Sequence, residues 1–231
     1  MNVRMLCAGA AKGLVTALQP AFRAETGAEV RGEFGAVGAM KDKLLAGEPC
    51  DLIVLTAAII DALRVHGHVD GDTVAAIGRV GTGIAVRAGE APPAIADGKA
   101  LRNTLLAATA VFIPDPRRAT AGIHFVGVLQ RLDIHAAVAP RLRVYPNGAT
   151  AMRELAATDG PRTIGCTQVS EILYTPGVTL AGALPAGYAL ATLYSAAVCT
   201  RARQPELAGR FAQLLTGPRS AVLRAQGGFE D

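Results

Sequence analysis

The chain has 231 residues, 51% of them hydrophobic, which is enough for a substantial core in either one large domain or two smaller ones. Its 23 basic and 19 acidic side chains leave a net charge of +4 without a Lys/Arg stripe, and aromatics at 4% with no Trp supply few stacking rings, so nucleic acid is not expected as a partner. No apolar run approaches the roughly 20 residues that a bilayer-spanning helix needs, so no membrane span is expected.

Residues 1–7 run straight into a strand-like segment and leave no room for the charged, apolar and cleavage regions of a signal peptide. If Met1 is the natural start, the expected compartment is the cytoplasm; if the chain has been trimmed, it is the periplasm. Residues 3–7 read as a buried strand, and Leu14, Leu18 and Phe22 recur every four residues as the inner face of a helix ending at Gly27. Pro20 is expected to kink or divide that helix, because it lacks an N–H and clashes with the preceding turn. Residues 29–34 form a second strand, a helix covers 40–46, and residues 51–55 make a third, fully buried strand. Thr56 is placed to cap the following helix with its hydroxyl.

Residues 80–87 read as a further strand, and Gly89-Glu90-Ala91-Pro92-Pro93 as a turn-rich break. A second strand-and-helix series follows: a strand at 110–113, a loop at 114–122, and a helix at 123–132 whose Phe125, Val128, Leu129 and Leu132 share one face. Strands are expected at 141–145, 163–168 and 189–200, with closing helices at 205–215 and 218–225. The alternation predicts an α/β protein of two lobes, residues 1–82 plus 195–231 and residues 83–194. Each lobe would be a mainly parallel sheet flanked by helices.

Three turns stand out: Ala8-Gly9-Ala10-Ala11-Lys12-Gly13, Phe34-Gly35-Ala36-Val37-Gly38-Ala39 and Pro146-Asn147-Gly148-Ala149-Thr150. Each follows a strand and opens a helix. The first backbone N–H groups of a helix lack partners and its dipole is positive there, so small residues let an anion reach those amides. Tight strand-to-helix turns also favour small residues for steric reasons alone.

Gly81-Thr82-Gly83 lies inside a strand pattern and lacks the third glycine of a dinucleotide fingerprint. No phosphate loop, nucleophile elbow or H-E-x-x-H helix is present, so neither a cofactor nor a metal is implied. The four cysteines are far apart in sequence, and His66-Gly67-His68 reads as a surface loop. Cys199 reads as a small buried hydrophobe. Cys7 and Cys166 read the same way or, being close to the turns, as thiols facing a ligand.

The order and spacing of these segments resemble the molybdate-binding solute receptors of ABC importers, which have the type II periplasmic-binding-protein fold. The likeness rests on the first Ala/Gly turn, Glu25-Thr26-Gly27-Ala28-Glu29-Val30, the Phe34 to Ala39 turn, and Leu45-Ala46-Gly47-Glu48-Pro49-Cys50-Asp51-Leu52-Ile53-Val54. Asp115-Pro116 with Thr120-Ala121-Gly122, and Leu215-Thr216-Gly217-Pro218 through Gly228-Phe229, extend it over nearly the whole chain. The resemblance implies a ligand cleft between the lobes, with two serine hydroxyls, a loop contact, a turn contact and a tyrosine around the anion. By position these fall on Ala10, Val37, Ala121, Ala149 and Gln168, so both serines and the tyrosine are missing. Each absent charge-assisted hydrogen bond is worth about 1.5–3 kcal/mol, which argues against molybdate.

Lys12, Arg117, Arg118, Thr120, Asn147, Thr150, Thr167 and Gln168 stand in or beside the turns instead. They suit carboxylate, hydroxyl and carbonyl oxygens, although the three cations read equally as solvated loop charge. The candidate ligand set is therefore Ala10, Ala11, Lys12, Ala36, Val37, Thr56, Arg118, Thr120, Ala121, Asn147, Gly148, Ala149, Thr150 and Gln168. The expected partner is a small organic di- or tricarboxylate and, if the protein is exported, an ABC permease. The alternative is a cofactor-independent isomerase resembling aconitate isomerase of the same superfamily, with Lys12, Cys7, Cys166 or His124 as the base. The binding reading stands ahead of it.

Overall fold

The computed structural model describes residues 1–230. Residues 1–80 carry β1 (Asn2–Ala8), a short 3-10 turn (Gly9–Ala11), α1 (Lys12–Thr26), β2 (Glu29–Gly35), α2 (Val37–Leu45), β3 (Leu52–Thr56), α3 (Ala57–Val65) and the first half of β4 (Ala75–Arg87). After β4 come α4 (Gly98–Ala107), β5 (Ala110–Pro114), α5 (Thr120–Arg131), α6 (His135–Val138), β6 (Leu142–Tyr145), α7 (Gly148–Ala156), β7 (Thr163–Gln168), α8 (Val169–Leu173) and β8 (Val178–Ala183). The chain closes with β9 (Ala191–Val198), α9 (Pro205–Thr216), α10 (Ala221–Gln226) and β10 (Phe229–Glu230). These elements form two compact units, residues 1–80 with the chain from Thr192 onward, and residues 81–191.

In the first unit β1 lies between β2 and β3, parallel to both, with Ala8 opposite Gly35 and Cys7 opposite Val54. Leu14, Val15, Leu18 and Phe22 bury one face of α1, and Phe22 meets Phe211 of α9 edge-on at 4.9 Å between ring centroids. The helix ends where Gly27 takes φ 68°, a left-handed conformation that favours glycine. Pro20 does not divide α1. It sits on the exposed side, and the buried Leu18 and Phe22 on either side of it anchor both halves of the helix.

Asp51, buried just before β3, ties three elements together. Its carboxylate accepts the amides of Arg4 at 2.8 Å, Arg203 at 2.5 Å and Gln204 at 3.0 Å. It thereby links β1 and the entry to α9 to the start of β3. β9 returns beside β3 in the antiparallel direction, Leu52 opposite Val198, so the parallel run expected from the strand–helix alternation ends there.

In the second unit β5 is parallel to β6 and β7, while β4 runs antiparallel to β7 and β8. Both faces of β5 are covered. Val111 and Ile113 pack with Leu101, Leu105, Phe125, Val128 and Leu129. Phe112 points the other way, onto Ala151, Met152, Leu155 and Ile172. This is the period-2 alternation of a strand sandwiched between helices. α4 was not legible as a helix, although Leu101 and Leu105 are its buried pair and the Asp97 side chain caps it by accepting the Ala100 amide at 2.8 Å. α5 starts at Thr120, three residues before the expected helix. Thr56 occupies the first cap position of α3, but its hydroxyl makes no capping bond, contrary to expectation.

Candidate anion site at the strand ends

The register of the first unit puts the carboxyl ends of β1, β2 and β3 side by side. In an open α/β sheet these ends are where ligands are received. α1, α2 and α3 start there, and their cap positions, Ala11, Ala36 and Thr56, supply no side-chain hydrogen bond. Three adjacent helix starts therefore offer backbone amides with no hydroxyl or carboxylate of their own laid over them. Ala10, Ala11, Ala36, Val37 and Thr56 are all buried, in the turns that follow these three adjacent strand ends. Lys12, half-buried as the first residue of α1, holds its ammonium 5.7 Å from the centroid of the Phe34 ring. The Cys7 thiol donates to the Ala8 carbonyl at 3.3 Å. Burial, reinforced by the neighbouring Cys50, pushes that thiol far above the ordinary cysteine range, so it stays protonated at neutral pH.

In the second unit the carboxyl ends of β5, β6 and β7 are likewise adjacent, Pro114 opposite Tyr145 and Phe112 opposite Gly165. The loop after β5 is shaped by Asp115, whose side chain accepts the Arg117 amide at 2.7 Å. Arg117 and Arg118 are exposed, Thr120 is half-buried and Ala121 is buried. Gly122 is obligatory, since a Cβ there would lie 2.4 Å from the Pro114 carbonyl oxygen and 2.6 Å from that of Asp115. α5 can start this close to the loop only without a side chain at that position.

The turn at Asn147 differs from the sequence expectation, because its donors are already occupied. The Asn147 side-chain oxygen accepts the Thr150 amide at 2.9 Å and the Thr150 hydroxyl at 3.0 Å, and Arg153 donates to that hydroxyl at 3.0 Å. The amides of Gly148 and Ala149, with that of Gln168, are taken by the carboxyl group of Glu171, to which the Thr167 hydroxyl also donates at 2.5 Å. Glu171 is buried. Burial pushes its pKa up, against the downward pull of Thr167 and the three amides. A Cβ on Gly148 would sit 2.0 Å from both Glu171 Oε2 and Thr167 Oγ1. Thus Gly148, Ala149 and Thr150, expected as free ligand contacts, are spent inside the fold. Glu171 is absent from the sequence-predicted set, although it carries a local signal: an acid four residues after Thr167, on the turn of helix directly behind a strand end.

Gln168, at the end of β7, is buried. Burial also pushes the Cys166 thiol far up. The His124 ring nitrogen Nε2 lies 2.7 Å from the Tyr188 carbonyl oxygen. Tyr145 stacks on Phe112 at 5.9 Å, and Tyr194 meets Phe229 edge-on, so both rings pack. Among the described residues no group of three His, Cys, Asp or Glu side chains is placed to hold a metal ion. No helix among them is long and apolar enough to cross a membrane.

A family model described as bacterial extracellular solute-binding protein matches residues 3–230. An aconitate isomerase of a Pseudomonas species is 26% identical over 231 residues, covering 95% of this chain and 84% of the relative. The periplasmic molybdate-binding protein of Azotobacter vinelandii superposes with a TM-score of 0.82 at 16% identity, covering 99% of each chain. The sulfate-binding protein of Mycobacterium tuberculosis follows at 0.75 and 18% identity, covering 99% of this chain and 86% of that one. These likenesses establish the type II periplasmic-binding-protein fold.

Proposed function

Because this chain belongs to the family of bacterial extracellular solute-binding proteins, we propose that it binds a small organic anion with two or three carboxylate groups. The observation that carries this reading is the row of three helix starts in the first unit. Ala10, Ala11, Ala36 and Val37 offer backbone amides there without a hydroxyl among them. Carboxylate oxygens accept from such amides, and Lys12 adds positive charge beside them. In the second unit the exposed Arg118, next to Thr120 and Ala121, offers a two-pronged guanidinium, with the buried Gln168 at the end of β7 as a further candidate contact.

A compact tetrahedral dianion is held less well. All its charge lies on four oxygens that need donors on every side, and each hydroxyl missing at Ala10 and Val37 removes about 1.5–3 kcal/mol. The solved neighbours from Azotobacter and Mycobacterium bear the names of such inorganic ions, molybdate and sulfate. The Pseudomonas relative is named for a tricarboxylic acid. As a solute receptor the protein would hand its ligand to an ABC permease. Thermal unfolding against a panel of molybdate, tungstate, sulfate, malate, citrate and the aconitates tests the reading. A ligand at a hundred times its Kd stabilises by about 2.7 kcal/mol. The expected response is to a di- or tricarboxylate, and a shift with molybdate or tungstate alone would overturn it.

The isomerase-named relative supports a second reading, a cofactor-independent proton shift along a tricarboxylic acid. Lys12 is then the candidate base, since burial keeps Cys7 and Cys166 as thiols. Proton NMR of cis- and trans-aconitate in deuterated buffer checks it: interconversion or deuterium uptake is expected, and the absence of both removes it.

A further inference from the structure

We propose that Glu171 is a specificity-determining residue: its carboxyl group holds the first amides of α7 as a built-in occupant and so turns tetrahedral oxyanions away from this strand end. The inference rests on the organic-anion reading above and explains part of that selectivity. Glu171 touches Gly148, Ala149, Gln168 and Thr167 at once, and so gathers the donors with which a helix start would otherwise receive an external anion. Asn147 takes the third amide of the turn, that of Thr150, so the first three amides of α7 are all accounted for within the chain.

The arrangement is built for this occupant. Position 148 has no room for a Cβ, which would lie 2.0 Å from Glu171 Oε2 and from Thr167 Oγ1. The glycine therefore lets the carboxyl reach the amides. Thr167 is fully buried and Glu171 nearly so, so the contact is not a solvated surface pair. A carbon-framed acid tolerates an occupied turn, because its carboxylates can use other donors while a hydroxyl or methylene faces this one. An ion with all its charge on one centre has no such freedom.

Glu171→Ala removes the occupant, and Glu171→Gln keeps its shape while turning one acceptor into a donor aimed at amides. Titration calorimetry with sodium molybdate and sodium sulfate, beside citrate and cis-aconitate, reads the preference of each variant against the parent. Thermal unfolding with 100 mM sodium formate, roughly the carboxyl group cut from the side chain, reads reoccupation directly. Expected are at least about a tenfold gain for molybdate or sulfate relative to the organic acids in both variants, and a formate-dependent rise in Tm in Glu171→Ala that the parent lacks. If Glu171→Ala does not fold, the anion preference of Glu171→Gln decides. Variants that fold, ignore formate and keep the parent's preference within about twofold overturn the inference while leaving the organic-anion reading standing. A parent protein that itself binds molybdate or sulfate tighter than any organic acid overturns both.

Discussion

Gly148→Ala probes the tightest approach in the second unit. The added methyl carbon would start 2.0 Å from Glu171 Oε2 and 2.0 Å from Thr167 Oγ1, where ordinary contact needs more than 3.4 Å. Neither neighbour can swing away freely, because the two are hydrogen-bonded to each other and buried. Relief requires the carboxyl group to leave the amides of Gly148, Ala149 and Gln168, or α7 to shift. Overpacking of this kind costs about 1–3 kcal/mol, and separating a buried carboxyl from its donors adds about 1–3 kcal/mol. Alanine's better helix propensity, at most about 1 kcal/mol, offsets only part. The expected net loss is about 1–5 kcal/mol, a fall in Tm of at least about 2 °C for a protein of this size. Differential scanning calorimetry measures it at pH 7. A variant whose Tm stays within about 1 °C of the parent would refute the close seating of Glu171 against Gly148.

Asp51→Ala strips an acceptor from three amides at once, those of Arg4, Arg203 and Gln204, and should cost about 3 kcal/mol or more. Asp51→Asn, which keeps one carbonyl oxygen, should cost roughly half of that in the same thermal scan; equal stability of both variants with the parent would show that Asp51 does not tie these elements together. The pKa of Glu171 is raised above its ordinary 4.5, so its favourable contribution is complete below about pH 4.5 and is lost as pH climbs through the folded-state value. The Tm difference between parent and Glu171→Gln should accordingly shrink or change sign from pH 4 to pH 8, and a parent that gains on the variant over that range would show that the hydrogen bonds outweigh burial. All four thiols are buried, with those of Cys7 and Cys166 pushed up by burial, so reaction with a disulfide reagent at pH 8 should be at least about a hundredfold slower in native protein than in guanidinium. Rapid labelling of either residue in native protein would contradict that burial.

Sequence by itself determined the α/β alternation and most strands of this chain, because the signals are local. A run such as Leu52-Ile53-Val54-Leu55 has few ways to bury itself other than as an inner strand, and Leu14, Leu18 and Phe22 can share a face only in a helix. The same locality located the turns at Ala10 and Val37, where small residues follow a strand and open a helix. Tertiary structure decided the rest. The sequence could not show β9 lying antiparallel beside β3, since strand direction depends on a partner far away in the chain. Nor could it show that the Asn147-Gly148-Ala149-Thr150 turn, so similar to the two others, is already filled. The amides that make a helix start attractive to an anion are indifferent to whether the accepting oxygens come from solution or from the chain, and only folding brings the Glu171 carboxyl to those of α7.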